Sequence, residues 1–232
     1  MKLSIIIPCF NEEKTIEKIV NKVNETCKYL NEIIVIDDKS TDNSLDILNK
    51  LLHEKKINVL IKNTKNYGKG YSVKQGILNS KGDIILIQDA DLEYDPSDYP
   101  KLVEPILSNL ADVVFGSRFL GSEIKRVLFF WHSLGNYILT FLSNMFTNLN
   151  LTDMENCYKV FRSDIIKKII IKENRFGIEP ELVAKISKIK NIRIYEVSVK
   201  YFGRKYSEGK KITWKDGFSA VRCIILYNIF EK

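Results

Sequence analysis

The sequence predicts an α/β protein with a mostly parallel central sheet flanked by helices, one compact domain over residues 1–232. Three observations predict it. Short apolar runs of strand length alternate with segments whose apolar residues fall three and four apart, the β–α rhythm that builds a parallel sheet. Polar motifs follow three of these runs, where open parallel sheets place their ligands. Finally, no internal repeat, low-complexity tract or linker divides the chain.

The elements follow in order. "KLSIIIP" reads as a first buried strand, and Ile16, Ile19, Val20, Val23, Cys27 and Leu30 mark one face of a helix. "EIIVIDD" is a second strand. Caps in "KSTDNS" then open a helix carrying Leu45, Leu48, Leu51 and Leu52. "NVLI" makes a third strand, "KNTKNYGKG" a loop, and Val73, Ile77 and Leu78 a helix. "GDIILIQ" and "ADVVFGS" continue the alternation. After Arg118 the rhythm changes. An aromatic helical segment covers 129–146, a helix holds "EPELVAKISKI", and "IRIYEVSVKY" alternates as a strand. A polar loop, "FGRKYSEGKK", leads to a last helix ending "CIILYNIF". The change suggests two functional halves, 1–118 and 119–232.

Composition narrows the function classes. Thirty-six Lys and Arg against 29 Asp and Glu give a net charge of +7. That excess suits a solvated lysine-rich surface equally with attraction to anionic ligands or a membrane face. No zinc finger, helix-turn-helix signature or RNA-binding aromatic motif accompanies it, so no nucleic acid is expected as a partner. Cys9, Cys27, Cys157 and Cys223 are scattered without metal-ligand spacing, which points to reduced thiols in a cytoplasmic compartment. The first apolar run is too short for a signal peptide, and no run of about 18 to 20 apolar residues exists. The composition leaves oligomeric state open.

Against that basic background, "LIQDADLEYDP" places Asp89, Asp91, Glu93 and Asp95 at alternate positions after an apolar run. If the strand continues to Asp91, residues 89 and 91 project from one face. They could then hold a hard divalent cation and leave positions for phosphate oxygens. The competing reading is a polar turn whose acids cap a helix beginning near Ser97.

"SIIIPCFNEE", "VIDDKSTD", "NYGKG", "DADLE" and "GSRF" occur in this order. As an ordered set they resemble the family 2 glycosyltransferases, inverting enzymes of GT-A (Rossmann-like) fold, and among them the polyprenyl-phosphate or dolichyl-phosphate hexosyltransferases. The resemblance covers nearly the whole chain. It implies a nucleotide-sugar donor of UDP-glucose or GDP-mannose type, Mg²⁺ or Mn²⁺ as cofactor, and a polyprenyl phosphate acceptor. Pro8, Phe10 and Glu12 would line the nucleotide's base and ribose. Asp38 would contact the base with Asp37 in support, and Lys69 would approach the ribose or diphosphate. Asp89 and Asp91 would hold the metal, with Asp91 the foremost ligand.

An inverting transfer to a hydroxyl needs a general base, whereas a phosphate monoester is already ionised near neutral pH and needs cations instead. The second half supplies cations in Lys125, Arg126, Arg204, Lys205, Lys210 and Lys211, beside Arg118 at the end of "GSR". By the resemblance, Arg118, Arg204 and Lys210 would meet the acceptor phosphate. Arg126 and His132 are further candidates. Asp153 and Glu155 stand where many relatives carry an acidic motif facing the acceptor. With a hydroxyl acceptor on a glycan or protein, the alternative function, Asp153 would be the base; with phosphate it would orient the sugar or an arginine. Glu179 is open to a structural role. The aromatic segment and the terminal "CIILYNIF" suit core packing, or a peripheral position at a membrane surface.

Overall fold

The computed structural model describes residues 1–27, 29–121, 126–127, 129–204 and 214–231. Within them a seven-stranded sheet runs in the order β3-β2-β1-β4-β6-β5-β7. The strands are β1 (Leu3–Cys9), β2 (Leu30–Asp37), β3 (Val59–Lys62), β4 (Ile84–Ile87), β5 (Val113–Ser117), β6 (Lys159–Arg162) and β7 (Ile194–Ser198). All neighbouring pairs are parallel except those of β6, which is antiparallel to both β4 and β5. β1 lies inside the sheet between β2 and β4, and its Leu3, Ile5, Ile6 and Ile7 have no exposed surface, as a strand covered on both faces requires.

Helices cover the sheet: α1 (Ile16–Thr26), α2 (Ser44–His53), α3 (Lys69–Asn79), α4 (Tyr99–Leu107), α5 (Phe130–Thr147), α6 (Ser163–Ile166), α7 (Ile178–Ser187) and α8 (Trp214–Ile225). The first helix is shorter than its apolar spacing suggests. Leu3 donates its amide to Tyr29 at 3.0 Å, and Leu30 already pairs with Leu3, so the sheet claims that segment.

Three further differences matter for the site. The fourth strand stops at Ile87 and does not continue to Asp91. Beyond it, the Gln88 side chain is held by the hydroxyls of Tyr99 and Tyr158, each at 2.7 Å, and Asp91 accepts the Glu93 amide at 3.0 Å, which bends the chain into a turn. Asp95 takes the capping role, accepting the Ser97 amide at 3.0 Å ahead of α4. Lastly, "KVFR" is the antiparallel β6. Its Lys159 is buried, and its ammonium donates to the carbonyls of Met154 and Asn156. Since β6 lies between β4 and β5, the halves 1–118 and 119–232 interleave in one sheet.

Candidate active site

The carboxyl ends of β1, β2 and β4 face a cavity of about 660 Å³. Its lining includes Pro8, Phe10, Glu12, Asp38, Lys69, Asp89 and Asp91 from the first half, and Arg118, His132, Glu155, Glu179 and Arg204 around the other side. β1 has β2 on one side and β4 on the other, the crevice where open α/β sheets bind ligands.

Asp38 shapes one wall. Its carboxylate accepts the Gly68 amide at 2.7 Å, the Tyr67 amide at 3.0 Å and the Asn63 side-chain amide at 2.7 Å, so its oxygens anchor the "NYGKG" loop. Asp37, just behind, is buried outside the lining, and its carboxylate accepts the Ser40 amide at 3.4 Å. The glycines of the loop have a steric reason. Gly68 has φ +103°, and a Cβ there would stand 2.5 Å from the Asn174 carbonyl oxygen. At Gly70 a Cβ would stand 2.2 Å from the Glu173 carbonyl oxygen. The 173–175 segment thus lies directly on the loop, and the Tyr71 amide donates to the Asn174 carbonyl at 3.0 Å. Pressed between them, Lys69 extends into the cavity and pairs with Asp89 and Glu179, each at 2.9 Å. Burial opposes its charge, but these carboxylates hold its pKa well above the ordinary lysine value.

The acidic cluster is countered from the far end of the chain. Tyr94 and Tyr201 form an antiparallel bridge, Phe202 donates its amide to the Glu93 carbonyl at 2.8 Å, and the Tyr201 hydroxyl reaches Glu93 at 2.8 Å. This pairing delivers Arg204 among the carboxylates, 2.8 Å from Asp91, 3.2 Å from Glu12 and 3.3 Å from Glu93. Arg204, expected at an acceptor phosphate, therefore stands on the acidic side of the cavity. Negative charge remains in excess at Asp91. Burial, then the neighbouring Asp89 and Glu93, push its carboxyl up to about 8 in spite of Arg204. Asp89 goes the other way: burial disfavours its charge, and Lys69 outweighs burial to hold it below the usual range.

This is the electrostatic setting a divalent cation relieves, and the donor oxygens are hard ones. Among the described residues no group of three or more acidic, histidine or cysteine side chains is arranged to hold a metal ion by itself. Asp89 and Asp91 offer hard carboxylate oxygens, and a cation placed there would have to take further ligands from outside the protein.

Across the cavity, Arg118 follows β5. Its guanidinium makes two 2.7 Å bonds to the two oxygens of Asp153, and its backbone amide adds a third at 2.9 Å. Tyr201 lies under the guanidinium, 5.1 Å from carbon to ring centroid. Asp153 has no exposed side-chain surface and does not line the cavity. Burial works against its charge, and the Arg118 charge and hydrogen bonds prevail, so its pKa is lowered. Arg126 sits outside the lining; its side chain donates to the Gly203 carbonyl at 2.7 Å and its amide to the Tyr201 carbonyl at 2.8 Å. His132 is at the cavity and meets the Phe129 ring at 6.0 Å between centroids. Lys125, Lys205, Lys210 and Lys211 lie outside the described residues.

Sequence reasoning missed Arg175 and Phe176 in the lining and the part of Glu93 in holding Arg204. The alternate spacing of acids through Glu93 is the one signal that could have pointed to the latter.

Architecture and site together define a class. This is a GT-A fold, and the crystal structure of glucosyl-3-phosphoglycerate synthase from Mycobacterium tuberculosis in complex with Mn²⁺ and UDP-glucose matches it with a TM-score of 0.76, covering 98% of this chain and 79% of that one at 16% identity. The profile of glycosyl transferase family 2 matches residues 4–170, and the chain belongs to that family. An uncharacterized protein of Methanocaldococcus jannaschii is 29% identical over 99% of this chain and 93% of its own length. Dolichol-phosphate mannosyltransferase of Pyrococcus furiosus is 34% identical over 132 residues, 56% of this chain and 37% of that protein. The match thus spans well under half of that named relative.

Proposed function

We propose that this protein transfers a neutral hexose, glucose or mannose, from a nucleotide sugar to a polyprenyl phosphate with inversion at the anomeric carbon. The observation that carries the reading is a single cavity with an acidic pole at Asp89 and Asp91 and a half-buried, carboxylate-anchored arginine, Arg118, on the opposite side. Asp89 and Asp91 would hold Mg²⁺ or Mn²⁺, which when bound neutralises charge on the departing diphosphate. Pro8, Phe10 and Glu12 line the nucleotide's end of the cavity, the loop anchored by Asp38 closes over it, and Lys69 adds a positive charge beside the diphosphate.

Arg118 binds the acceptor phosphate and aims one of its oxygens at the anomeric carbon. Asp153 fixes the plane of the guanidinium. Both Asp153 oxygens are taken by Arg118, which favours a phosphate acceptor that brings its own ionised oxygen over a hydroxyl that needs a base. Arg204 balances the acidic pole, and His132 stands at the acceptor's entrance.

The same entrance supports a lipid acceptor. Trp131 lines the cavity and is 76% exposed, and along α5 Phe130, Tyr137, Phe141 and Met145 are exposed while Thr140 and Ser143 are buried. A helix that turns its polar residues inward and its aromatic residues outward suits the interface of a bilayer. No helix among the described residues is long and apolar enough to cross a membrane.

The test is a transfer assay with Mn²⁺, short-chain polyprenyl phosphate, and UDP-glucose and GDP-mannose in parallel. Lipid-linked sugar from one donor is the expected result. Donor turnover that yields no lipid product, but does glycosylate a hydroxyl acceptor, would replace this reading with the hydroxyl one.

A further inference from the structure

Two carboxyl oxygens in the cavity are buried without a hydrogen-bond partner among the described residues: Oε1 of Glu155 and Oε2 of Glu179. Such atoms cost free energy unless something arrives to bond them. Neither residue is accounted for by the metal pair or by Arg118. Glu179 is 6% exposed at the start of α7, and its other oxygen is fixed by Lys69 at 2.9 Å. Glu155 stands in the loop between Asp153 and β6, near enough to Glu179, Lys159, Arg118 and Asp153 to feel the charge of each.

Their position along the cavity is set by these links. Asp89 contacts Lys69, Lys69 contacts Glu179, and Glu155 and Arg118 line the same cavity, with Glu155 close enough to Glu179 and Arg118 to feel the charge of both. The sequence of groups therefore runs from the diphosphate end to the acceptor end. In a direct displacement the transferred sugar must lie between leaving group and nucleophile. The stretch of cavity between Asp89 and Arg118 is that place, on the reading under Proposed function, on which this inference rests.

We propose that Glu155 and Glu179 are the residues that read the hydroxyls of the transferred sugar, and so set which neutral hexose the protein accepts. The chemistry of the pair is complementary. Burial, and then the Glu179 carboxylate, push the Glu155 carboxyl up to about 8, so near neutral pH Glu155 carries a proton and donates while Glu179 Oε2 accepts. A sugar hydroxyl, both donor and acceptor, satisfies each. A donor lacking the hydroxyl leaves a buried carboxyl oxygen unpaired, the situation in which polar sites discriminate most steeply.

The experiment is calorimetric binding to the purified protein with Mn²⁺. The ligands are UDP, GDP, UDP-glucose, GDP-mannose, and the singly deoxygenated donors of whichever sugar nucleotide binds. The expected result is that at least one deoxy donor binds roughly 100-fold more weakly than its parent. Glu155→Leu should collapse that ratio to within about threefold with affinity for the nucleoside diphosphate unchanged, and Glu179→Gln should collapse it too while also altering nucleoside diphosphate binding, because it removes a partner of Lys69. Deoxy donors that all bind like the parent, or a ratio that survives both variants, would overturn the assignment while leaving the donor site standing. Absence of any nucleoside diphosphate binding would instead overturn the donor site itself, and the sugar assignment with it. Glu155→Leu removes an unpartnered polar atom and so should fold. Glu155→Gln, which keeps a donor and an acceptor, should retain the wild-type ratio.

Discussion

Replacing Asp153 with asparagine separates its two possible roles through stability as well as rate. In the folded protein its carboxylate takes two guanidinium bonds of 2.7 Å and the Arg118 amide at 2.9 Å, with no exposed side-chain surface. An asparagine of the same shape turns an NH₂ group towards the guanidinium, so one bond becomes a donor–donor contact and Arg118, 14% exposed, loses its counter-charge. Removing one partner of a buried pair costs roughly 3–5 kcal/mol. For a chain of this size 1 kcal/mol shifts Tm by about 2–4 °C, so Asp153→Asn should melt roughly 6–20 °C lower at pH 7. The folded pKa of Asp153 is depressed, so its stabilisation is full above the unfolded carboxylate value of about 3.9 and is lost as pH falls through the folded value. The gap between variant and wild type should accordingly close at acid pH. In the transfer assay the variant should show a raised KM for polyprenyl phosphate. An unchanged Tm together with a kcat reduced by about 10²–10⁴ would refute the argument and restore Asp153 as a general base.

Other perturbations test the remaining parts of the site. Gly70→Ala places a Cβ 2.2 Å from the Glu173 carbonyl oxygen and should cost about 1–3 kcal/mol, read by urea denaturation, while weakening nucleotide binding. Mn²⁺ with UDP at about 100 times its Kd should stabilise the wild type by about 2.7 kcal/mol, a rise in Tm that Asp91→Ala should abolish. Substituting Tyr137, Phe141 and Met145, which are 66%, 52% and 62% exposed, by serine should remove binding to anionic phospholipid vesicles in co-sedimentation. The same triple substitution should leave Tm nearly unchanged, since exposed side chains contribute little to folding.

That Pro8, Asp38 and Asp89, proposed above to serve the donor, share one cavity was legible in the sequence because local pattern sets them. Pro8, Asp38 and Asp89 each follow an apolar run that ends at one edge of the sheet, and parallel strands bring such ends together. β6 was not legible: four residues with a buried lysine and a terminal arginine show neither alternation nor an unbroken apolar run. The placement of Arg204 depends on the bridge between Tyr94 and Tyr201, a pairing over more than a hundred positions that no local pattern announces. The burial of Asp153 against Arg118 was not legible, because charge spacing does not say which oxygens are already taken. The outward aromatic residues of α5 read as core in composition; the buried Thr140 and Ser143, with Leu139 and Leu142 packed against the core, show which way the helix faces.

The insertion of β6 between β4 and β5 bears on how such proteins can be recombined. A crossover at Arg118 would look natural from the sequence, since it separates donor motifs from acceptor motifs. It would, however, pair Ile84–Ile87 and Val113–Ser117 with a foreign strand in place of Lys159–Arg162, so that a mismatch there would open two edges inside the sheet. On the proposed function, acceptor preference would therefore not be a module to graft onto a foreign first half. A chimaera that keeps Lys159–Arg162 with the strands it joins, and exchanges α5 instead, respects the seam along which this chain is put together.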